Sequence, residues 1–211
     1  MALTEPYPLA FLNDMLAPIA DCQLSLVRYE EQSGSRSGQF WTAQLAPPLW
    51  QAAITLGPRR WEEGREINAK VTALGTMKSF LFADPCYAPA SGATAGGSVV
   101  IGTIATNRTM LSLIGLPAGY RITAGDRFST THSGGRYYFG EFVESITANG
   151  SGVTGQVAIE PPLPQGVVSG PNVRLDRPLI RLRVPQGSFT SFTFTPGGLA
   201  TGGSIIGMQK P

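Results

Sequence analysis

A single change of hydrophobic period constrains this chain more than any other feature. Trp50, Ala52, Ile54 and Leu56 alternate with Gln51, Ala53 and Thr55, the two-residue period of a half-buried strand. Gly57-Pro58 closes that strand with a turn signal. From Glu62 the period becomes helical: Ile67, Val71, Leu74 and Lys78 recur on one side, and Glu62, Glu63 and Glu66 occupy the first turns, where carboxylates complement the helix dipole. Gly75 stands where a C′ residue would stop the helix, so the spacing predicts a helix over about 62–74. Ser79-Phe80-Leu81-Phe82-Ala83 then reads as a short apolar strand ended by Asp84-Pro85.

The rest of the chain reads as strands and turns. Residues 1–20 form an arm with Leu9, Phe11, Leu12, Met15, Leu16 and Ile19 as apolar anchors between prolines. Cys22, Leu24 and Leu26 mark a first strand, and Glu30 to Gly38 a polar hairpin-like loop. Gln39 to Leu45 is a second strand, which Pro47-Pro48 separates from the Trp50 strand. Cys86 to Ser98 is rich in Ala, Gly and Pro and reads as a linker. Short strands resume at Val99–Ile101, Met110–Ile114, Asp126–Ser129, Arg136–Ile146 and Gly155–Glu160, punctuated by Gly-rich turns, as in a small antiparallel barrel or sandwich. Leu179–Val184 and Ser188–Thr195 carry strand patterning again, before a Gly-rich tail containing Ile205-Ile206.

Gly (26) and Pro (17) with only 14% charged residues fit many short β segments better than a disordered tail, which would carry more charge. A net charge of +2 is too mild for a nucleic-acid binder, and Arg174, Arg177, Arg181 and Arg183, the densest basic run, read as a solvated strand face or an intersubunit contact. No apolar stretch approaches a membrane span, and no signal peptide is recognisable, so synthesis in the cytoplasm is expected. Cys22 and Cys86 have no metal-ligand spacing and read as buried free thiols.

Leu45-Ala46-Pro47-Pro48-Leu49-Trp50, the helix and Phe80-Leu81-Phe82-Ala83-Asp84-Pro85 resemble the front half of distal tail (Dit-like) proteins of long-tailed bacteriophages of alphaproteobacteria. Gly125-Asp126-Arg127-Phe128, Arg136-Tyr137-Tyr138, Ile159-Glu160-Pro161-Pro162-Leu163 and Val173-Arg174-Leu175 extend the likeness over most of the chain. The resemblance implies a mainly β protein. A β-sandwich or split-barrel tail-hub domain with one packed helix would take residues 1–98 and 178–211, and a small antiparallel β-barrel or sandwich module would be inserted at 99–177. It further implies a hexameric ring in the virion tail tip, joining the tail tube protein to the baseplate hub and fibre proteins, with DNA passing through the lumen without specific binding.

The residues offer little catalytic chemistry. His132, the single histidine, sits in Ser129-Thr130-Thr131-His132-Ser133-Gly134-Gly135 and reads as a loop histidine rather than the base of a Ser–His pair. Gly34-Ser35-Arg36-Ser37-Gly38 has Arg36 where a nucleophile elbow needs serine. Glu30-Glu31 belong to a loop, Glu62-Glu63 open a helix, and Glu141 and Glu144 fall on opposite strand faces. Asp84, Asp126 and Asp176 suit turns and ion pairs. No catalytic, cofactor or metal residue is therefore assigned. Trp41, Trp50, Tyr137 and Tyr138 could in principle stack sugars, but Trp41 and Trp50 read as core. The alternatives to a distal tail protein are a tube or other hub protein and, from another class, a carbohydrate-binding module for host adsorption.

Overall fold

The computed structural model describes residues 4–34, 38, 40–94 and 98–210. The chain is mainly β, with one α-helix among the described residues. Two 3-10 turns, Leu9–Phe11 and Asn13–Met15, precede β1 (Ile19–Gly34), β2 (Phe40–Leu56), β3 (Arg59–Arg60), α1 (Trp61–Leu74) and β4 (Phe80–Phe82). Next come β5 (Val100–Ile104), β6 (Met110–Ile114), β7 (Arg121–Ile122), β8 (Arg127–His132), β9 (Arg136–Phe142), β10 (Ile146–Thr147), β11 (Val157–Glu160) and β12 (Val173–Arg174). β13 (Ile180–Arg183), β14 (Phe189–Thr190), β15 (Thr193–Phe194), β16 (Leu199–Thr201) and β17 (Ser204–Gln209) complete the chain. Two compact units result: Met1–Phe80 with Leu182–Lys210, and the intervening Leu81–Arg181.

The discontinuous unit is built on a sheet ordered β1-β2-β17-β13-β4, with β14 also paired to β17. β1 and β2 form one long hairpin, from Ile19 opposite Leu56 to Gly34 opposite Phe40. Pro47-Pro48 does not end a strand, contrary to the sequence reading. Val27 pairs with Leu49 and Tyr29 with Ala46, so the two prolines face the single residue Arg28 in a register shift. Bulged residues make no ladder bonds, and a proline there forfeits no donor. β17 occupies the other side of β2, from Ser204 opposite Thr55 to Met208 opposite Gln51. Ile205-Ile206 is thus part of an interior strand rather than a tail; Gly202, Gly203 and Gly207 dilute a strand signal that burial of Ile205, Gly207 and Gln209 makes plain in three dimensions.

Trp50, Ala52, Ile54 and Leu56 are buried, as their alternation requires. In α1, Gly64, Ile67, Val71 and Leu74 turn inward, and Gly75 ends the helix with φ 56°, a backbone state glycine adopts freely. Residues 188–195 are not one strand: β14 and β15 flank Phe192, whose N–H reaches Asn68 Oδ1 at 3.4 Å and whose ring lies 5.1 Å from the Arg59 guanidinium. Arg59 is itself buried and donates to four main-chain carbonyls: Met15 (2.9 Å), Leu16 (3.0 Å), Pro18 (3.0 Å) and Gly57 (3.3 Å). The N-terminal arm is fixed to its own unit by this fork and by buried Tyr7, Leu12 and Leu16.

In the unit Leu81–Arg181 the strand order is β12-β8-β9-β11-β6-β5. Val100 of β5 bridges Asn172, beside β12, and Val173 N–H donates to the Val99 carbonyl at 2.8 Å, so the sheet curls until its ends meet. Its interior holds Ile101, Leu111, Leu113, Phe128, Tyr138, Phe142, Val157, Ile159 and Val173. The Phe128 and Phe142 rings stack with centroids 4.6 Å apart, a contact worth about 0.5–1.5 kcal/mol beyond area burial.

The segment read as a linker is pinned to this barrel. Ala90 N–H donates to Asp126 Oδ1 and Thr94 N–H to Asp176 Oδ1, while Tyr87 Oη accepts from Arg127 N–H and Ser91 Oγ donates to the Arg121 carbonyl. A segment poor in apolar side chains is ordered here by main-chain hydrogen bonds, which leave no hydrophobic pattern in the sequence. Residues 95–97 of that segment lie outside the described residues.

Candidate functional site

The groups that could carry chemistry are dispersed. His132 is the last residue of β8, opposite Arg136, and not a member of the turn that follows. Burial, and secondarily Arg136, hold its pKa below the usual imidazole range. Its Nδ1 is buried with no hydrogen-bond partner among the described residues, and Ser133 Oγ donates away from it, to the Gly166 carbonyl at 3.1 Å.

Glu141 flanks Arg127 at 3.8 Å, and Asp84 takes the same guanidinium at 3.0 Å. Burial raises the Glu141 pKa, with Arg127 opposing. Asp84 also accepts from Cys86 N–H, and Asp126 caps the turn at Thr123. With Asp176, which accepts from Thr94 N–H, all three aspartates serve as acceptors for main-chain groups. Cys22 and Cys86 are both free, but, against the expectation of buried thiols, Cys22 is only half-buried, on the edge strand β1, and Cys86 is exposed. Among the described residues, no group of three or more His, Cys, Asp or Glu could hold a metal ion. No helix among them is long and apolar enough to cross a membrane. Ser35, Arg36 and Ser37, of the loop read at Glu30 to Gly38 and of its elbow-like Gly34–Gly38 stretch, lie outside the described residues.

The four aromatic candidates for a stacking platform are divided between the two units, Trp41 and Trp50 in one and Tyr137 and Tyr138 in the other. Trp50 is core in one unit, and Tyr138 is core in the other, where its hydroxyl donates to the Pro161 carbonyl. Trp41, expected to be core, is 68% exposed, beside Phe40 at 78% and Leu45 at 68%. These three residues stand on the far half of the β1–β2 hairpin, where 30–34 and 40–45 are all exposed. Trp41, Ala43 and Leu45 share one face of β2, and Phe40 and Thr42 share the other. The near half of β2 is covered by β17, which stops at Gln51; beyond that point the strand pairs with β1 alone.

No family model matches the chain, and neither does any curated protein. The surface geometry therefore carries the functional argument by itself. β1 is an edge strand along its whole length and contributes no fully buried residue. Its outer row of N–H and C=O groups is a template for another strand. In the barrel the two end strands approach each other through the Val100–Asn172 bridge. What the geometry offers is an open strand edge beside exposed apolar side chains.

Proposed function

We propose that the chain is a structural subunit of a bacteriophage tail tip, a distal tail protein that closes into a ring through its hairpin arm. The observation that carries this reading is a ribbon whose far half exposes large apolar side chains on both faces, Trp41 and Leu45 on one and Phe40 on the other. A two-stranded ribbon alone is marginally stable in water, and large apolar side chains clustered on it are satisfied when a partner covers them. A second copy supplies such a partner at no cost in symmetry: the arm of one subunit lies on the sheet of the next, beside the open edge of β1, head to tail until the ring closes. The likeness to distal tail proteins sets the expected number at six and the neighbours as the tube, hub and fibre proteins. A net charge of +2 suits a lumen that DNA traverses without being held.

Light scattering and negative-stain imaging of concentrated protein test the reading. Sixfold rings are expected from the native chain, and monomers from the Phe40→Ser/Trp41→Ser variant. A native chain that stays monomeric at every concentration, and that also fails to join tube or hub protein when mixed, overturns it.

A further inference from the structure

The outer face of the barrel carries a small polar pocket, on the unit that does not bear the exposed hairpin. Strand register explains why its side chains converge. Arg174 pairs with Ser129, and Thr131 with Tyr137, so these four residues share the face opposite to the core residues Phe128, Tyr138 and Val173. Continuing the β12–β8 register by one residue sets Asn172 opposite Thr131. Asn172, Thr131 and Tyr137 thus form a row across three neighbouring strands, with Arg174 and Ser129 in the next row, roughly 7 Å along.

The frame of this pocket is locked. Ser129 Oγ accepts from Leu179 N–H at 2.7 Å and Thr130 Oγ1 donates to the Asn172 carbonyl at 2.9 Å; both hydroxyl residues are buried. The groups aimed outward are not engaged. The Thr131 and Tyr137 hydroxyls, the Asn172 amide and the Arg174 guanidinium make no hydrogen bond or ion pair among the described residues. These residues enclose about 170 Å³, below the roughly 300–1,000 Å³ of drug-sized sites, so the space suits one small polar ring.

We infer that this pocket binds a single sugar unit bearing an oxyanion, a carboxylate or a phosphate. The Tyr137 ring offers a flat apolar face to the pyranose. Thr131 and Asn172 supply donors and acceptors for ring hydroxyls, and the unpaired Arg174 fork matches an oxyanion in two parallel hydrogen bonds. The locked strand frame fixes the spacing of the backbones that carry these groups, while the exposed side chains are ordered on binding, which keeps the affinity of a site this small modest. The location gives the binding a use: a subunit at a tail tip that holds charged cell-surface sugars on its barrel would slow the particle's departure from a host.

Titration of the full chain by ligand-observed NMR, with glucuronic acid, glucose 6-phosphate, glucose and inorganic phosphate as probes, tests the site. Saturable millimolar binding of one or both charged sugars, tighter than glucose, is expected; which of them binds distinguishes carboxylate from phosphate. Arg174→Gln should weaken the charged sugars about ten-fold and leave glucose unchanged, whereas Thr131→Val should weaken all the sugars. Both side chains are exposed, and unchanged thermal unfolding of each variant shows that the fold is intact. Absence of saturable binding by the charged sugars overturns the inference. So do charged sugars that bind no better than glucose, inorganic phosphate that binds as tightly as glucose 6-phosphate, or binding indifferent to both substitutions. The ring reading survives any of these results, since it rests on the other unit.

Discussion

The Trp50 main-chain N–H donates to the Gln209 side-chain Oε1 at 3.0 Å, across 159 residues of sequence. The β17–β2 ladder ends with Met208 opposite Gln51, while Gln209 pairs through its backbone with Leu182 on the other side. Its side chain therefore takes over where the ladder stops, and both groups are buried. Gln209→Ala should orphan the Trp50 donor and destabilise the protein by about 1–3 kcal/mol, read as a lower denaturant midpoint at unchanged m-value. An unchanged midpoint would mean that water replaces the amide without penalty.

Arg59 holds the N-terminal arm by geometry as much as by charge. Burial lowers its pKa and Glu63 opposes that effect, yet guanidinium stays protonated at any ordinary pH. An ammonium has no planar fork to span the Met15, Leu16 and Pro18 carbonyls together. Arg59→Lys should cost about 2 kcal/mol or more, since hydrogen bonds to charged groups are worth about 1.5–3 kcal/mol each. Hydrogen exchange should accelerate at Met15 and Leu16, whose N–H groups bond the Leu12 and Asn13 carbonyls. Protection retained there in the lysine variant would refute the assignment.

The legible parts of the fold are those where one period persists with a covered face, and the illegible parts are those set by distant partners. The Trp50 strand, α1 and β9 announce themselves by spacing. Trp41 shows the limit: alternation tells which residues share a face, not whether anything lies on it, so the same pattern is core at Trp50 and exposed at Trp41. Nothing in the local pattern marks Arg59 as buried, because the carbonyls that surround it belong mostly to residues more than 40 positions away. Barrel closure through Asn172 and Val100 is hidden likewise, since β12 is only two residues long. Tyr137 lies in a segment whose alternation marks a strand, but Thr131 falls beyond the strand read at 126–129, and it and Arg174 join Tyr137 only through register.

Tyr87 gives the strap over the barrel an alkaline limit. Its phenol is pushed up to about 12, chiefly by burial, with the Arg127 backbone hydrogen bond opposing. The folded state holds this proton more tightly than the unfolded chain, whose value is about 10. The contribution is therefore full below about pH 10 and lost as pH rises toward 12. Tyr87→Phe should flatten the dependence of unfolding free energy on pH over that window. At pH 7 it should cost about 1 kcal/mol, because Arg127 N–H loses its 2.8 Å acceptor. A variant with the native alkaline slope would show that another group sets it.

The hairpin should be two-tiered in a monomer. Near the core, β2 is paired on both sides; at 40–45 it has β1 alone, and no buried residue anchors either strand. Amides at 40–45 should exchange orders of magnitude faster than those at 51–55, and assembly should slow the distal set selectively. Substituting Trp41 should leave monomer stability within about 0.5 kcal/mol, the usual range for exposed positions. A larger loss would mean that the indole already packs within its own chain.

Gly64 sets how closely α1 lies on β16. A Cβ built there would stand 2.6 Å from the Ala200 Cβ and 3.3 Å from the Phe194 ring. Two methyl groups cannot share that space, so one element must retreat. Gly64→Ala gains about 1 kcal/mol of intrinsic helix propensity and loses it to overpacking, which costs about 1–3 kcal/mol. The single variant should be destabilised by up to about 2 kcal/mol. In Gly64→Ala/Ala200→Gly the methyl is moved from strand to helix, which clears the closest clash and retains the helix gain. The double variant should therefore recover most of the loss, giving a favourable coupling energy of at least about 1 kcal/mol in a double-mutant cycle. Additive effects would show that the helix shifts on the sheet without penalty, and that the small-residue contact does not fix its position.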